Sequence, residues 1–377
     1  MLLKHRVFYP LMVVLLVFSL TACDFFKPIE PEVVEPLPPE AIPSLHKAYE
    51  GYFNIGVAVN AGTMNTHNDL IEKHFSSITA ENEMKPDHIL RYISGNELVL
   101  DYTRGDRIGN YALQNVKKVW GHVLVWHSQT PDWFFKDEND QLLSQEKIQE
   151  RMAEYITKVV THYKGKIDAW DVVNEAITDS NDPDHIYRHK DYDKKNGSLW
   201  NEIFAGSEID YIAAAFRAAH EADPEAKLYY NDYNAVAPEK REKIMKMIRQ
   251  LKDEDVPIHG IGIQAHWLFN WPSAGDIEDA IVEYSKMGLD VQITELDIRI
   301  DGDMEKKITL SRKDKERQAD RYKEVFEIFI KHSDKISSVT FWGITDDNSW
   351  ISQEPLIFDR NKNPKPAFWA ILDALGK

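Results

Sequence analysis

Two glutamates each close a short apolar run: Glu175 ends WDVVNE, and Glu295 lies in VQITELD. A pair of carboxyl groups suits cleavage of a glycosidic bond, where one acid protonates the departing oxygen and a second carboxylate attacks or stabilises the anomeric carbon. A lone Glu at the end of an apolar run is ordinarily a surface charge, but the neighbouring strings argue otherwise. ITAENEMKPD gathers Glu81, Asn82 and Lys85, GHVLVWHSQTPDW gathers His122, Trp126 and Gln129, and WGITDDNSW supplies Trp342 and Trp350. Sugar rings carry C–H faces that rest on aromatic planes, and their hydroxyls need amide, ammonium and carboxylate partners.

For these residues to meet, elements far apart in the chain must converge. Short β-rich runs recur at 54–60, 76–82, 119–127, 167–175, 227–232, 258–266, 290–297 and 339–346. Between them lie helical patterns such as QEKIQERMAEYITKVVTHY and IDYIAAAFRAAHEA, with apolar residues three and four apart. Alternating strand and helix calls for a parallel sheet, and eight such units predict an α/β fold closed as a (β/α)8 TIM barrel. Each run starts apolar and ends in Asn, Glu, His, Trp or Asp, as expected for a site at the C-terminal strand ends, because a closed core cannot take unpaired polar groups in its middle layers.

Strand parity adds detail. Asn174 and Glu175 are consecutive and would point to opposite faces, so both can reach one sugar only if the strand twists or bulges. Glu295 and Asp297 share a face, as do Gln264 and His266, which lets an imidazole sit between two acids and keep the nucleophile ionised. His122 and Trp126 share a face of the third strand, with His127 on the other. A metal is not expected, since paired ligands on a strand should be an even number apart and no HExxH or cysteine cluster occurs. Trp126, Trp267, Trp342 and Trp350 could pack a core, although Trp350 lies in a loop, where an indole can cover a sugar face. There is no Gly-rich phosphate loop, GxSxG elbow or nucleophilic cysteine, and no cofactor is expected.

The chain has 377 residues, which fits one barrel of about 250 residues or more plus a leader. Lys4 and Arg6 precede the apolar run Val7 to Phe18, and LTAC at 20–23 reads as a lipoprotein box. We expect residues 1–22 to be a signal peptide, Cys23 to be lipidated, 23–45 to be a Pro/Glu-rich tether and 46–377 to be one catalytic domain. The apolar run is shorter than the roughly 20 residues of a spanning helix. Cys23 is the only cysteine, so no internal disulfide can form. A formal charge of −17 disfavours nucleic acid and anionic lipid and suits a neutral substrate.

The ordered strings ITAENEMKPD, GHVLVWHSQTPDW, WDVVNEAI, LYYNDYN, GIGIQAHW, ITELDI and WGITDDNSW resemble glycoside hydrolase family 10, the retaining endo-β-1,4-xylanases, from about residue 46 onward. The resemblance implies Glu175 as acid/base and Glu295 as nucleophile, with Asn174 on the hydroxyl next to the reacting carbon. It implies His122, Trp126, His266 and Trp350 around the cleaved sugar. Glu81, Asn82, Lys85, Gln129 and Trp342 follow at or near the next subsite, and Gln264 and Asp297 act as supports. The substrate would be xylan or xylo-oligosaccharides, the protein a monomer, exported and lipid-anchored to the bacterial cell envelope. A retaining enzyme predicts carboxyl groups roughly 5 to 5.5 Å apart. Two departures stand out: Trp120 replaces a usual basic residue and Thr345 a frequent arginine, and both are expected to bear on substrate fine structure. The long loop 176–199 is expected to shape the leaving-group side. Rival readings are a barrel β-glucanase or mannanase, and a surface lipoprotein that binds glycan without cleaving it.

Overall fold

Runs of Val, Ile, Leu and Ala that end in polar residues become eight parallel strands, and their order closes a barrel. The computed structural model describes residues 38–95, 97–115, 117–191 and 197–376. The expected signal peptide, Cys23 and the tether as far as residue 37 lie outside the described residues. The chain divides into Met1–Ile42 and Pro43–Lys377. Within the described part of the first unit there is one 3-10 turn, Pro39–Ala41.

The barrel strands of the second unit are β1 (Asn54–Val59), β2 (Ser77–Ala80), β3 (Lys118–Trp126), β4 (Ala169–Asn174), β5 (Lys227–Asp232), β6 (Gly260–Ile263), β7 (Asp290–Arg299) and β8 (Ile336–Phe341). Each pairs in parallel with the next, and β8 returns to β1, so no edge is left open. The outer helices are α1 (Asn68–His74), α2 (Thr103–Gln114), α3 (Gln145–Tyr163), α4 (Glu208–Ala222), α5 (Pro238–Asp253), α6 (Ala274–Lys286), α7 (Arg312–Lys331) and α8 (Pro366–Asp373). Strands β2, β4 and β6 are buried along their whole length, as parallel strands covered on both faces must be.

Local chemistry starts and seats the helices. Ser144 accepts from the Lys147 amide to cap α3, whose Ile148, Met152, Tyr155, Ile156, Val159 and Val160 form one buried stripe. Ser311 and Asp314 make a reciprocal capping box on α7, and Pro238 occupies the first turn of α5, where its missing N–H costs nothing. Burying each large aliphatic side chain contributes about 1.5–3 kcal/mol, so the inward stripes rather than helix propensity hold the outer ring.

The structure moves the bounds of several expected strands by a residue or two and those of the sixth and eighth by more. The sixth strand, expected over 258–266, stops at Ile263; Ala265 turns with φ +65°, and a separate short strand, His266–Leu268, then pairs with the end of β7. The eighth, expected over 339–346, runs from Ile336 to Phe341, because Gly343 at φ +134° takes the chain out of extended conformation. A hairpin, Leu90–Ser94 with Glu97–Leu100, lies between β2 and α2 and was not foreseen. Trp267 is a core residue, 1% exposed and packed near Phe329.

Candidate active site

Glu175 and Glu295 open into one cleft of about 730 Å3 at the C-terminal ends of the strands. Backbone irregularities aim both. An extra residue on β4 relative to β5 lies between Asp171 and Val173, and Glu175 follows in the left-handed region at φ +56°. Such a conformation costs a non-glycine residue on the order of 1–3 kcal/mol, and it swings Glu175 to the side occupied by Asn174, as parity required. A second shift, between β7 and β8, brackets Glu295.

Glu295 is 4% exposed. Asn231 Nδ2 donates to its Oε1 at 2.8 Å, and His266 Nε2 meets its Oε2 at 3.1 Å. The other ring nitrogen of His266 lies 2.8 Å from Asp297 Oδ2, which also accepts from Trp350 Nε1 at 2.7 Å. Burial alone would pull the His266 pKa down. The flanking carboxylates outweigh it, since an opposite charge about 4 Å away is worth about 4 kcal/mol at an effective dielectric near 20, and the imidazole is pushed up to about 10. Burial also works against the Glu295 charge, yet the His266 hydrogen bond, the His122 and His266 charges and the Asn231 amide hold its carboxyl below the usual range. At neutral pH an imidazolium therefore stands between two carboxylates, with both ring N–H groups donating.

Glu175 Oε2 accepts from Trp126 Nε1 at 2.9 Å, and Oε1 accepts from Gln264 Nε2 at 2.8 Å and Asn174 Nδ2 at 3.2 Å. The two carboxylates share a bridge: Gln264 Nε2 and Asn231 Nδ2, each on one of the acids, also donate to Asn174 Oδ1 at 3.2 and 3.0 Å. Their amides hold a fixed donor and acceptor pattern between the two acids.

The remaining expected side chains line the same cleft. Lys85 Nζ donates to Asn82 Oδ1 at 2.9 Å and Gln129 Oε1 at 3.0 Å, and lies 5.0 Å from the Trp126 ring centre. Burial lowers its pKa against the pull of Glu295, Glu81 and Glu175. Glu81 accepts from Asn60 Nδ2 at 3.0 Å. His122 is tied to buried Asp171 at 2.8 Å, and its ring meets Trp342 edge-on at 5.2 Å. Trp342 is nearly buried, whereas Trp350 is 45% exposed, 4.9 Å from the His266 ring.

Six further residues line the cleft that sequence reasoning did not select: His127, Arg188, Tyr233, Asn234, Arg299 and Met304. Tyr233 and Asn234 follow the end of β5, and Arg299 ends β7, so the strand-end rule already used could have found them. His127 lies just beyond the end of β3 and faces the cleft, not away from it; burial, with Arg188 and Lys240 nearby, takes its pKa down to about 3 and keeps it neutral. Arg188 comes from the long loop after β4 and is fully buried. Burial opposes its charge, but Tyr233, Asp232 and Glu175 raise its pKa above the ordinary value.

The two departures at 120 and 345 do not touch this cleft. Trp120 packs against Tyr229, ring centres 4.6 Å apart and planes tilted by 59°, in a separate cavity at the opposite mouth of the barrel, with Asp168, Lys227 and Asp290. Thr345 is fully buried and bonds His67 and Asn348. Neither position can tune substrate by direct contact here.

The family model described as Glycosyl hydrolase family 10 matches residues 44–374. A beta-1,4-xylanase from Dictyoglomus thermophilum is 44% identical over 342 residues, covering 88% of this chain and 91% of its own length. An endo-1,4-beta-xylanase from Geobacillus stearothermophilus is 40% identical over 344 residues, covering 88% of this chain and 99% of its own. Among solved structures, xylanase XynB from Paenibacillus barcinonensis, complexed with a conduramine derivative, superposes with TM-score 0.80 at 38% identity, covering 88% of this chain and 98% of that one. A mutant structure in complex with xylotriose superposes with TM-score 0.79 at 36% identity, covering 88% and 100%.

Proposed function

This chain belongs to glycosyl hydrolase family 10, and we propose that its cleft hydrolyses internal β-1,4-xylosidic bonds of xylan with retention, Glu295 attacking the anomeric carbon and Glu175 handling the proton. The observation that carries the assignment of roles is the difference in surroundings. Glu295 is buried against the His266 imidazolium and kept ionised, while Glu175 rests on neutral N–H donors.

In the first step Glu175 gives its proton to the leaving oxygen as the glycosidic C–O bond breaks, and Glu295 forms an ester with the anomeric carbon. In the second, Glu175 takes a proton from water as that water attacks the same carbon, and the ester breaks to regenerate the Glu295 carboxylate. Asn174 Oδ1 is already occupied by Asn231 and Gln264, so its Nδ2 is the group available to the neighbouring sugar hydroxyl, which it would bind. His266 and Asp297 hold the nucleophile in orientation. His122, Trp126 and Trp350 surround the reacting sugar in this reading, and Glu81, Asn82, Lys85, Gln129 and Trp342 take the next one.

Release of reducing ends from xylan, set against barley glucan and mannan, tests the substrate class. Proton NMR of the first product formed tests retention: β-anomer supports it and α-anomer overturns it. The leader pattern around Cys23 supports export and a lipid anchor, and we propose that the enzyme is a monomer whose catalytic domain spans 46–377. Release of Cys23→Ala from the membrane fraction, with the parent retained there, tests the anchor, and elution volume on a sizing column tests the monomer.

A further inference from the structure

The loop after β4 carries a buried cation whose bonds converge on the backbone of Glu175. Arg188 Nε donates to the Glu175 carbonyl at 3.0 Å, and a terminal guanidinium nitrogen donates to the Ile177 carbonyl at 3.3 Å and the Tyr233 hydroxyl at 2.8 Å. The Arg188 amide donates to the Ala176 carbonyl at 2.9 Å. Asn201 Nδ2 then clamps the Arg188 carbonyl at 2.7 Å. Three consecutive carbonyls, those of residues 175, 176 and 177, are thus each held by Arg188. They lie where the chain leaves β4 in a left-handed turn. Asp232 and Asp179 supply the counter-charge: Lys240 Nζ bridges them at 2.8 and 3.1 Å, and Asp179 lies 3.9 Å from the guanidinium.

We propose that Arg188 is a positioning residue for the proton-transfer step, fixing the left-handed turn at Glu175 so that its carboxyl faces the leaving oxygen. This rests on the reading of Glu175 as acid/base. The guanidinium suits the task because its planar fork reaches two carbonyls and a hydroxyl at once, which a lysine ammonium on a flexible stem cannot reproduce. Among the described contacts Arg188 bonds the Glu175 carbonyl and not its carboxyl, so positioning passes through the backbone; the guanidinium also acts on the carboxyl charge through space, an influence that Arg188→Lys retains and Arg188→Met removes. Small misplacement of a reacting group by a residue outside the chemistry can cost about 100-fold.

The test compares Arg188→Lys and Arg188→Met with the parent on xylan, whose leaving group needs protonation, and on a dinitrophenyl xylobioside, whose leaving group does not. The expected result is a fall in kcat/KM of about 10- to 100-fold on xylan with a change within about threefold on the aryl substrate. Equal losses on both substrates, or no loss on xylan, overturn the proposal. Melting curves confirm that each variant is folded; if Arg188→Met is not, Arg188→Lys decides. Glu175→Ala, run alongside, keeps the two ideas separable. Equal loss from that variant on both substrates removes the acid/base reading itself, whereas leaving-group dependence there with none in Arg188→Lys removes only the positioning role.

Discussion

Asn231 on β5 reaches Glu295 on β7 across the intervening strand, donating from Nδ2 to Oε1 at 2.8 Å, because β6 carries glycine at the crossing point. A Cβ at Gly262 would lie 2.2 Å from Asn231 Oδ1 and 2.9 Å from the Thr294 methyl. Thr294 also donates to Asn231 Oδ1 at 2.7 Å, so the amide is fixed at both ends. The absence of a side chain on one strand thereby orients Glu295, the proposed nucleophile, on another.

Gly262→Ala should push Asn231 off Glu295. We expect kcat/KM to fall by about 10-fold or more on xylan and aryl xylobiosides alike, since attack by Glu295 is common to both, with an overpacking cost of about 1–3 kcal/mol in stability. Steady-state kinetics and denaturant melts measure the two effects. Unchanged kinetics would remove the claimed coupling.

Removing each acid should have a different signature. Glu295→Gln should abolish turnover on every substrate. Glu175→Ala should lose roughly 100- to 10,000-fold on xylan, much less on substrates with good leaving groups, and regain rate with azide as a small nucleophile. Equal loss on both kinds of substrate without azide rescue would contradict the assignment of Glu175.

His266 ties stability to pH. Its folded-state pKa of about 10 lies above its ordinary 6.5, so its contribution is fully present below pH 6.5 and is lost as pH rises through 10. Glu295 behaves oppositely: held below its ordinary 4.5, it contributes above that value and is lost as pH falls through its lowered folded value. Because His266 and Glu295 share one contact, these are two limbs of a single coupled system. NMR titration of the imidazole should find His266 still protonated at pH 8, and Asp297→Asn should lower its titration point by a unit or more. A parent His266 titrating near 6.5 would contradict the imidazolium bridge.

Much of this site was legible because barrel geometry converts sequence order into position: polar groups at strand ends must face one rim. The His266 bridge followed from strand parity for Glu295 and Asp297 on one strand, and the twist at Asn174–Glu175 from parity that could not otherwise be met. Parity succeeded for Gln264 and His266 for a different reason than expected, since Ala265 leaves the strand conformation between them. Arg188 was illegible because a charged residue among Asp, His and Lys in a long loop reads as solvated, and only tertiary contacts reveal that it is buried. Trp120 misled because distance along β3 from His122 is short, yet those few residues run from one mouth of the barrel towards the other.

That misreading has its own test. Trp120→Leu should lower stability by roughly 1–3 kcal/mol through lost packing on Tyr229 while leaving the ratio of rates on arabinoxylan and glucuronoxylan unchanged. A shift in that ratio of more than about threefold would mean that the far mouth of the barrel does communicate with substrate.

The central claim is that Glu295 becomes covalently bonded to sugar while Glu175 only moves protons. Incubation with a 2-fluoro-xylobiosyl donor bearing a good leaving group, followed by peptide mass spectrometry, reads this directly, because the fluorine slows hydrolysis of the ester. The account predicts one added fluoroxylobiosyl unit, located on Glu295 and absent in Glu295→Gln. A label on Glu175, or steady turnover of that donor with no covalent adduct, would contradict it.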